Sequence, residues 1–164
     1  MLKTAEQWIQ ELDLKPHPEG GYFKQTDLKK DPYTVDGKES VLYTNIYFLL
    51  TEDSPSHFHK LVSDELWFYH TGSPLTVHSL LPNGEYEKTI LSLNTEQGHQ
   101  PHYTVPAGDI FGSTVESGYA LVSCTVVPGF DFSDFKLYTK NELLGHYPKH
   151  SEIINKLAYD TLPE

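Results

Sequence analysis

The segment Ser56 to Gly72, SHFHKLVSDELWFYHTG, carries side chains that commonly bind metals. Alternate side chains of a β-strand share a face, so His57 and His59 are predicted to point the same way. A neighbouring antiparallel strand would bring Glu65 against both imidazoles. Two histidines and one carboxylate form the set that iron(II) favours and that manganese, nickel or zinc can use. The alternative is that both histidines are polar residues at a solvent-facing strand end.

The same segment could also move protons without a metal. A histidine with a pKa near neutrality and a tyrosine facing it can shift a proton next to a carbonyl group. We predict His59 as the base, with Tyr69 or Tyr103 as the acid. Glu65 is a further catalytic candidate, because a carboxylate flanked by buried rings needs a partner.

Aromatic residues of the predicted strands are candidates for the wall of a ligand pocket, although core packing explains them equally well. A small β-barrel commonly binds one small molecule inside. A wall of rings with one or two titratable groups suits a planar or sugar-like ligand. Glu19, in a Pro-Glu-Gly-Gly turn, could reach the rim of the cavity. The predicted wall residues are Tyr47, Trp67, Tyr103 and Phe111.

The elements that must position these residues are mostly strands. From Ser40 to Val127, runs of β-branched and aromatic residues alternate with turn signals, which indicates a β-domain. Before it, TAEQWIQELDL predicts an amphipathic helix capped by Thr4, with Gln7 completing a capping box. The turn Lys15 to Gly21 should lead into a strand at Tyr22 to Thr26. After it, TKNELLGHYP and SEIINKLAYD predict two short helices.

The strands must close on themselves. About eight short antiparallel strands in an open sheet would leave exposed edges, so a sandwich or barrel is expected. Asn83-Gly84 predicts a two-residue hairpin between two strands. A chain of 164 residues is long enough for one domain and short for two. We predict a single domain over residues 1–164, with a barrel core at about 21–138 and a helical tail at about 139–160.

The charge of the chain argues against several classes of partner. With 23 acidic and 12 basic residues, the formal net charge is −11, which disfavours nucleic acid and anionic membrane surfaces. No apolar run approaches the ~18 residues that span a bilayer, and the N-terminal segment lacks the continuous apolar stretch of a secretion signal. A cytoplasmic protein is therefore expected. The single cysteine, Cys124, lies in an apolar run and is interpreted as core packing.

Four blocks of the sequence carry a family resemblance. They are HPEGGYF at His17 to Phe23, FHKLVSDELWFY at Phe58 to Tyr69, VPAG at Val105 to Gly108 and VVPGFDFSDF at Val126 to Phe135. Together they resemble the cupin superfamily, and within it the fifth subfamily of common domain classifications, over most of residues 17–138. The resemblance implies a mainly β fold, the double-stranded β-helix or jelly-roll barrel, here with an N-terminal helix and short C-terminal helices.

The sequence departs from the general cupin pattern at two ligand positions. Five residues separate His59 from Glu65, where cupins usually have three or four, so either Glu65 or Asp64 takes the acidic position. The fourth cupin ligand is a histidine, and Phe111 stands in its place. His102 could replace it if it faces inward, but whether His102 or Tyr103 lines the cavity depends on the register of that strand.

The resemblance implies a small-molecule site and leaves three functions open. One is an isomerase or epimerase acting on a sugar-like or other small polar metabolite, as metal-free cupin epimerases do. Another is a metal-dependent oxygenase or isomerase using His57, His59 and Glu65. The third is a ligand-binding protein without catalysis, since a fold does not fix chemistry. Because cupins often pair through sheet edges, we also expect a homodimer, with Tyr22 to Thr26 as a candidate edge.

Overall fold

The computed structural model describes residues 3–35 and 38–164, with side chains described outside residues 31–40. Three α-helices and eleven strands are present in these residues. The helices are α1 (Ala5–Leu12), α2 (Lys140–His146) and α3 (Ser151–Leu157). The strands are β1 (Lys15–Pro16), β2 (Tyr22–Val35), β3 (Lys38–Thr51), β4 (Ser56–Leu61), β5 (Asp64–Gly72), β6 (Leu75–Leu80), β7 (Tyr86–Leu91), β8 (His102–Val105), β9 (Ile110–Val115), β10 (Tyr119–Val127) and β11 (Phe135–Leu137).

The strands form two antiparallel sheets that pack face to face as a jelly-roll barrel. One sheet has the order β1-β2-β3-β10-β5-β8, and the other has the order β11-β4-β9-β6-β7. Residues from both sheets meet in one buried apolar core, in which Trp67 contacts Phe48 and Phe111 edge to face. The predicted mainly β jelly roll with terminal helices is therefore confirmed.

The helices cover the outer faces of the two sheets. Thr4 caps α1 in a capping box with Gln7, as predicted, and Trp8 Nε1 donates a hydrogen bond to Tyr119 Oη at 3.1 Å. Helices α2 and α3 bury Leu143, Ile154 and other apolar residues against Phe58 and Leu80 of the second sheet. No helix in residues 3–35 and 38–164 is long and apolar enough to cross a bilayer.

The first long hairpin differs from the sequence prediction. The strand predicted at Tyr22 to Thr26 is longer than expected: β2 continues to Val35 and pairs as a hairpin with β3, which begins at Lys38. The Asn83-Gly84 hairpin is also longer than two residues, since β6 ends at Leu80 and β7 begins at Tyr86. Gly84 does adopt a positive φ of 90° in this turn.

Strand β4 contains a β-bulge that sets which of its side chains point into the barrel. Ser56 pairs with Ser113 and His59 pairs with Phe111, so three steps along β4 match two steps along β9. The extra residue breaks the strict alternation of side chains. As a result Ser56 and His59 both face inward, while His57 and Phe58 both face outward.

Gly112 lies on β9 beside this bulge, and we predict that Gly112→Ala destabilises the protein by about 1–3 kcal/mol. An added Cβ would lie 2.7 Å from the Ser56 carbonyl oxygen and 3.2 Å from the carbonyl carbon of His57, and neither backbone atom can move away freely. Chemical denaturation measures the change. Gly145→Ala is the matched control: it has open space around its Cβ position and should be neutral or stabilising. Equal effects at the two positions would contradict the tight approach at the bulge.

Candidate active site

A cavity of about 80 Å³ lies inside the barrel at the end where β2, β4 and the segment after β10 meet. Its wall combines carboxyl and imidazole groups with apolar side chains. The lining residues are His17, Glu19, Phe23, Gln25, Thr44, Ile46, His59, Leu61, Glu65, Cys124, Val126, Phe130 and Phe132.

Glu19 is the central carboxyl group of this cavity. The turn between β1 and β2 buries it, and the Glu19 carbonyl oxygen accepts the backbone N–H of His57 at 2.7 Å, which ties the turn to β4. Ser56 Oγ donates to Glu19 Oε1 at 2.8 Å. The other oxygen, Oε2, lies 3.4 Å from His59 Nε2 and 3.6 Å from His17 Nδ1. One carboxyl oxygen of Glu19 therefore lies close to a nitrogen of both imidazole rings.

The hydrogen bonds of the two imidazole rings favour a protonated Glu19 carboxyl group. His59 Nδ1 lies 2.8 Å from the His57 carbonyl oxygen, so Nδ1 carries a proton and Nε2 is an acceptor in the neutral ring. His17 Nδ1 accepts the backbone N–H of Glu19 at 3.2 Å, so it too is an acceptor. A proton on Oε2 can bridge to either nitrogen, whereas a carboxylate would face two lone pairs.

Burial favours the uncharged form of all three groups. Burial raises the pKa of Glu19, opposed by His17 and by the hydrogen bond from Ser56. Burial lowers the pKa of His17 and lowers that of His59 to about 4. Burial therefore favours an uncharged acid between two neutral imidazoles. Either imidazole can then accept a proton while the Glu19 proton points towards the other.

Glu65 supplies a second carboxyl group, which is buried and incompletely bonded. It is 7% exposed, and its Oε2 has no hydrogen-bond partner within residues 3–35 and 38–164. Burial and the nearby Glu19 raise the pKa of Glu65 to about 8, although Trp67 and Cys124 favour the ionised form. Glu65 is therefore protonated at neutral pH, and it can donate a hydrogen bond to a ligand oxygen.

Two phenylalanines of the segment after β10 close the cavity. Phe130 and Phe132 contact each other edge to face at 4.9 Å, and the ring of Phe132 stacks on that of His17 at 6.4 Å. Asp131 caps the short 3₁₀ turn Phe132–Asp134 by accepting the backbone N–H of Ser133 at 2.7 Å. Phe132 is 59% exposed, so it lies between the cavity and solvent.

A family model described as "Cupin superfamily (DUF985)", Cupin_5, matches residues 6–138, which is most of the chain and includes the whole cavity wall. The chain belongs to this family. The resemblance noted in the sequence is thereby confirmed, and the jelly roll described above is the cupin barrel.

Similar proteins extend over nearly the whole Cupin_5 chain. The hypothetical protein from Leishmania major has a solved structure that is 42% identical, with a TM-score of 0.88, covering 96% of this chain and 99% of the other. Protein SO0799 from Shewanella oneidensis is 37% identical, with a TM-score of 0.91, covering 98% and 100%. The uncharacterized protein YML079W of Saccharomyces cerevisiae is 31% identical over 163 residues, covering 87% of this chain and 79% of the yeast protein.

The structure does not bring the three predicted metal ligands of this cupin together. Because of the bulge, the ring of His57 lies outside the cavity, where it stacks on Tyr159 at 3.8 Å. Phe111, at the fourth ligand position, packs its ring 4.2 Å from that of His59. In the described parts of the chain, no three His, Cys, Asp or Glu side chains are arranged to hold a metal ion. The residues therefore do not fit the predicted iron, manganese, nickel or zinc site.

The structure also resolves the alternatives that the sequence left open. Glu65 faces the cavity, whereas Asp64 is exposed and accepts the backbone N–H of Ala107 at 2.8 Å. Tyr103 pairs with Trp67 and packs against the core, while His102 is exposed beside Phe68.

The structure places several predicted site residues away from the cavity. Tyr69 donates its hydroxyl proton to the Gly72 carbonyl oxygen at 2.6 Å and does not line the cavity, and Tyr47 packs on the outer face under α1. Trp67 and Phe111 are fully buried in the core behind the cavity wall. Of the predicted residues, Glu19, His59 and Glu65 are the ones that line it.

Sequence reasoning missed His17, which shares the HPEGGYF block with Glu19. The His-Pro-Glu spacing could have indicated both residues, because a turn that buries Glu19 keeps the residue two positions earlier within reach. Cys124 also lines the cavity, beside Glu65, but burial and the Glu65 carboxyl raise the pKa of its thiol well above the ordinary value. A protonated thiol is a poor nucleophile, which agrees with a packing role.

Proposed function

We propose that this cupin binds a small polar metabolite in the cavity and transfers a proton at the carbon next to a carbonyl group, as an isomerase or epimerase does. The observation that carries the proposal is the position of Glu19 Oε2 between His59 Nε2 and His17 Nδ1, in a cavity that also holds the unbonded Glu65 Oε2. A base and an acid then line the same small space.

Each group has a role that follows from its environment. His59 Nε2 accepts the proton from carbon while the Glu19 proton is bound to His17. The carboxylic acid of Glu65 transfers its proton to the carbonyl oxygen, where negative charge develops, so that the intermediate is a neutral enol. His59 then returns its proton to the former carbonyl carbon, while the Glu65 carboxylate takes the proton of the hydroxyl group on the carbon that was deprotonated first, which completes an isomerisation. Phe130 and Phe132 exclude water, which strengthens these interactions.

Deuterium exchange tests this proposal directly. The protein is incubated in D₂O with a panel of neutral and anionic carbonyl compounds, and NMR measures deuterium incorporation next to the carbonyl. We expect catalysed exchange for at least one compound. Absence of exchange across a panel that contains compounds shown to bind would overturn catalysis and leave a ligand-binding protein.

Glu65→Gln is expected to slow this exchange by at least about tenfold. Glutamine keeps the size and hydrogen-bonding capacity of the side chain but cannot transfer a proton. The exposed Glu85 provides the matched control Glu85→Gln, which should keep the wild-type rate. Equal rates for wild type and Glu65→Gln would remove Glu65 from the proposed chemistry.

A further inference from the structure

The described lining of the cavity holds titratable groups but no lysine. The chain has 12 lysines and no arginine, and none of the lysines whose side chains are described lines the cavity. Its polar lining consists of the carboxyl groups of Glu19 and Glu65, the imidazoles of His17 and His59, and a few uncharged groups. A ligand must therefore bind without an ammonium or guanidinium partner.

This composition disfavours anions. A phosphate or carboxylate entering the cavity would lose its water shell, and burying a charge is costly unless an opposite charge pairs with it. Here it would instead meet two carboxyl groups. The phosphate group of a phosphorylated sugar therefore does not suit this lining.

An oxygen of the Glu65 carboxyl group, which lacks a hydrogen-bond partner in the described part of the chain, indicates which functional group the ligand should have. Oε2 of Glu65 is buried without a hydrogen-bond partner in the described residues, and such atoms are uncommon in folded proteins. A carboxylic acid can donate to a carbonyl oxygen and accept from a hydroxyl group. An oxygen-bearing ligand would complete this bonding.

The size of the cavity limits the ligand further. At about 80 Å³ it is smaller than the ~150 Å³ of an engineered cavity that holds benzene. Benzene has six non-hydrogen atoms, so ligands of about that size or smaller suit this space. Most of the wall is apolar, with Ile46, Leu61, Val126 and the phenylalanines around the carboxyl groups.

We infer that the cavity takes an uncharged, short-chain hydroxycarbonyl compound. The requirement for the carbonyl group rests on the proposed function, whereas the requirement for an uncharged molecule rests on the lining alone. Anionic compounds of the same size are excluded, because no cation of the described wall can pair with them.

Three ketones of similar shape test the inference. Hydroxyacetone is uncharged, pyruvate is anionic and aminoacetone is cationic. Dissociation constants are measured by ligand-observed NMR on the wild-type protein. We expect hydroxyacetone to bind at least tenfold more tightly than either of the others. Equal or tighter binding of pyruvate overturns the inference, as does undetectable binding of hydroxyacetone. Tighter binding of aminoacetone also overturns the inference, and indicates that the carboxyl groups of the cavity bind a cation.

A charge variant tests the reason for the selectivity. Gln25 lines the cavity at its exposed rim, so Gln25→Lys adds an ammonium group there without burying it in the core. Pyruvate affinity should then rise at least threefold relative to hydroxyacetone affinity measured on the same variant. Gln97→Lys, on the exposed 3₁₀ turn Thr95–Gln97, is the matched control and should leave both affinities unchanged. Unchanged pyruvate affinity in Gln25→Lys would contradict the electrostatic argument.

Failure of this inference and failure of the proposed function give different results. Binding of hydroxyacetone without deuterium exchange keeps the ligand class and overturns the catalysis. Exchange confined to pyruvate keeps the proton transfer and overturns the uncharged ligand class.

Discussion

Replacing His59 with asparagine is expected to lower the rate of deuterium exchange by about 10²- to 10⁴-fold, the contribution typical of a positioned general base. The asparagine amide can still donate to the His57 carbonyl oxygen, as Nδ1 of His59 does at 2.8 Å, so the strand keeps this bond. It has no equivalent of Nε2, the atom 3.4 Å from Glu19 Oε2. NMR exchange rates at saturating ligand measure the loss.

His57→Asn is the matched control for this prediction. Its ring lies outside the cavity against Tyr159, so exchange should stay within about threefold of wild type even if the melting temperature falls. The pair of variants also separates the two mechanisms considered from the sequence. A metal centre that used both histidines would lose activity equally in the two variants, and that result would contradict the metal-free mechanism.

We expect Glu65 to make a large contribution to the free energy of unfolding, and this contribution depends on pH. Its pKa is raised from 4.5 to about 8 in the folded state. Between these values the folded protein holds a proton that the unfolded chain has released, so the contribution of Glu65 to stability falls as pH rises. It is complete below pH 4.5 and lost progressively up to about pH 8. The size of the pKa shift corresponds to roughly 3–5 kcal/mol.

Comparison of wild type with Glu65→Gln isolates this contribution. Other groups also titrate, and the lowered pKa of His59 acts oppositely: its unfavourable effect appears as pH falls from 6.5 towards 4. The difference in unfolding free energy between the two proteins cancels that term. Relative to wild type, Glu65→Gln should gain stability steadily from pH 5 to pH 8 in urea denaturation. A difference that is constant over this range would show that Glu65 is not held protonated.

The sequence predicted the barrel because its signals are local and repeated. Apolar alternation and turn residues mark most strands, and the Thr4 to Gln7 capping box marks α1. The extension of β2 beyond Thr26 was not predicted, because polar residues such as Lys29 and Lys30 on an exposed hairpin carry no burial pattern. The homodimer, the cytoplasmic location and the single-domain boundaries stay predictions.

The candidate site was predicted only in part, because the regular alternation of side chains along a strand is broken at a bulge. Glu65 and His59 were identified through their burial among rings and their strand position. His57 was misplaced by the extra residue in β4, a feature that depends on the pairing with β9 rather than on β4 alone. Tyr69 was misplaced for another reason: its hydroxyl group finds a local partner in Gly72. His17 comes from a turn, where no periodicity predicts direction.

The bulge in β4 has a consequence for how such a barrel can change its chemistry over evolution. Where β4 pairs with β9 without an extra residue between His57 and His59, regular strand alternation gives the two imidazoles one orientation. The position of a single bulge can thus exchange an acid–base interior for a pair of potential metal ligands, which no point substitution at either histidine achieves. Related chains in which the bulge lies elsewhere along this strand are where a switch between the two chemistries should be sought.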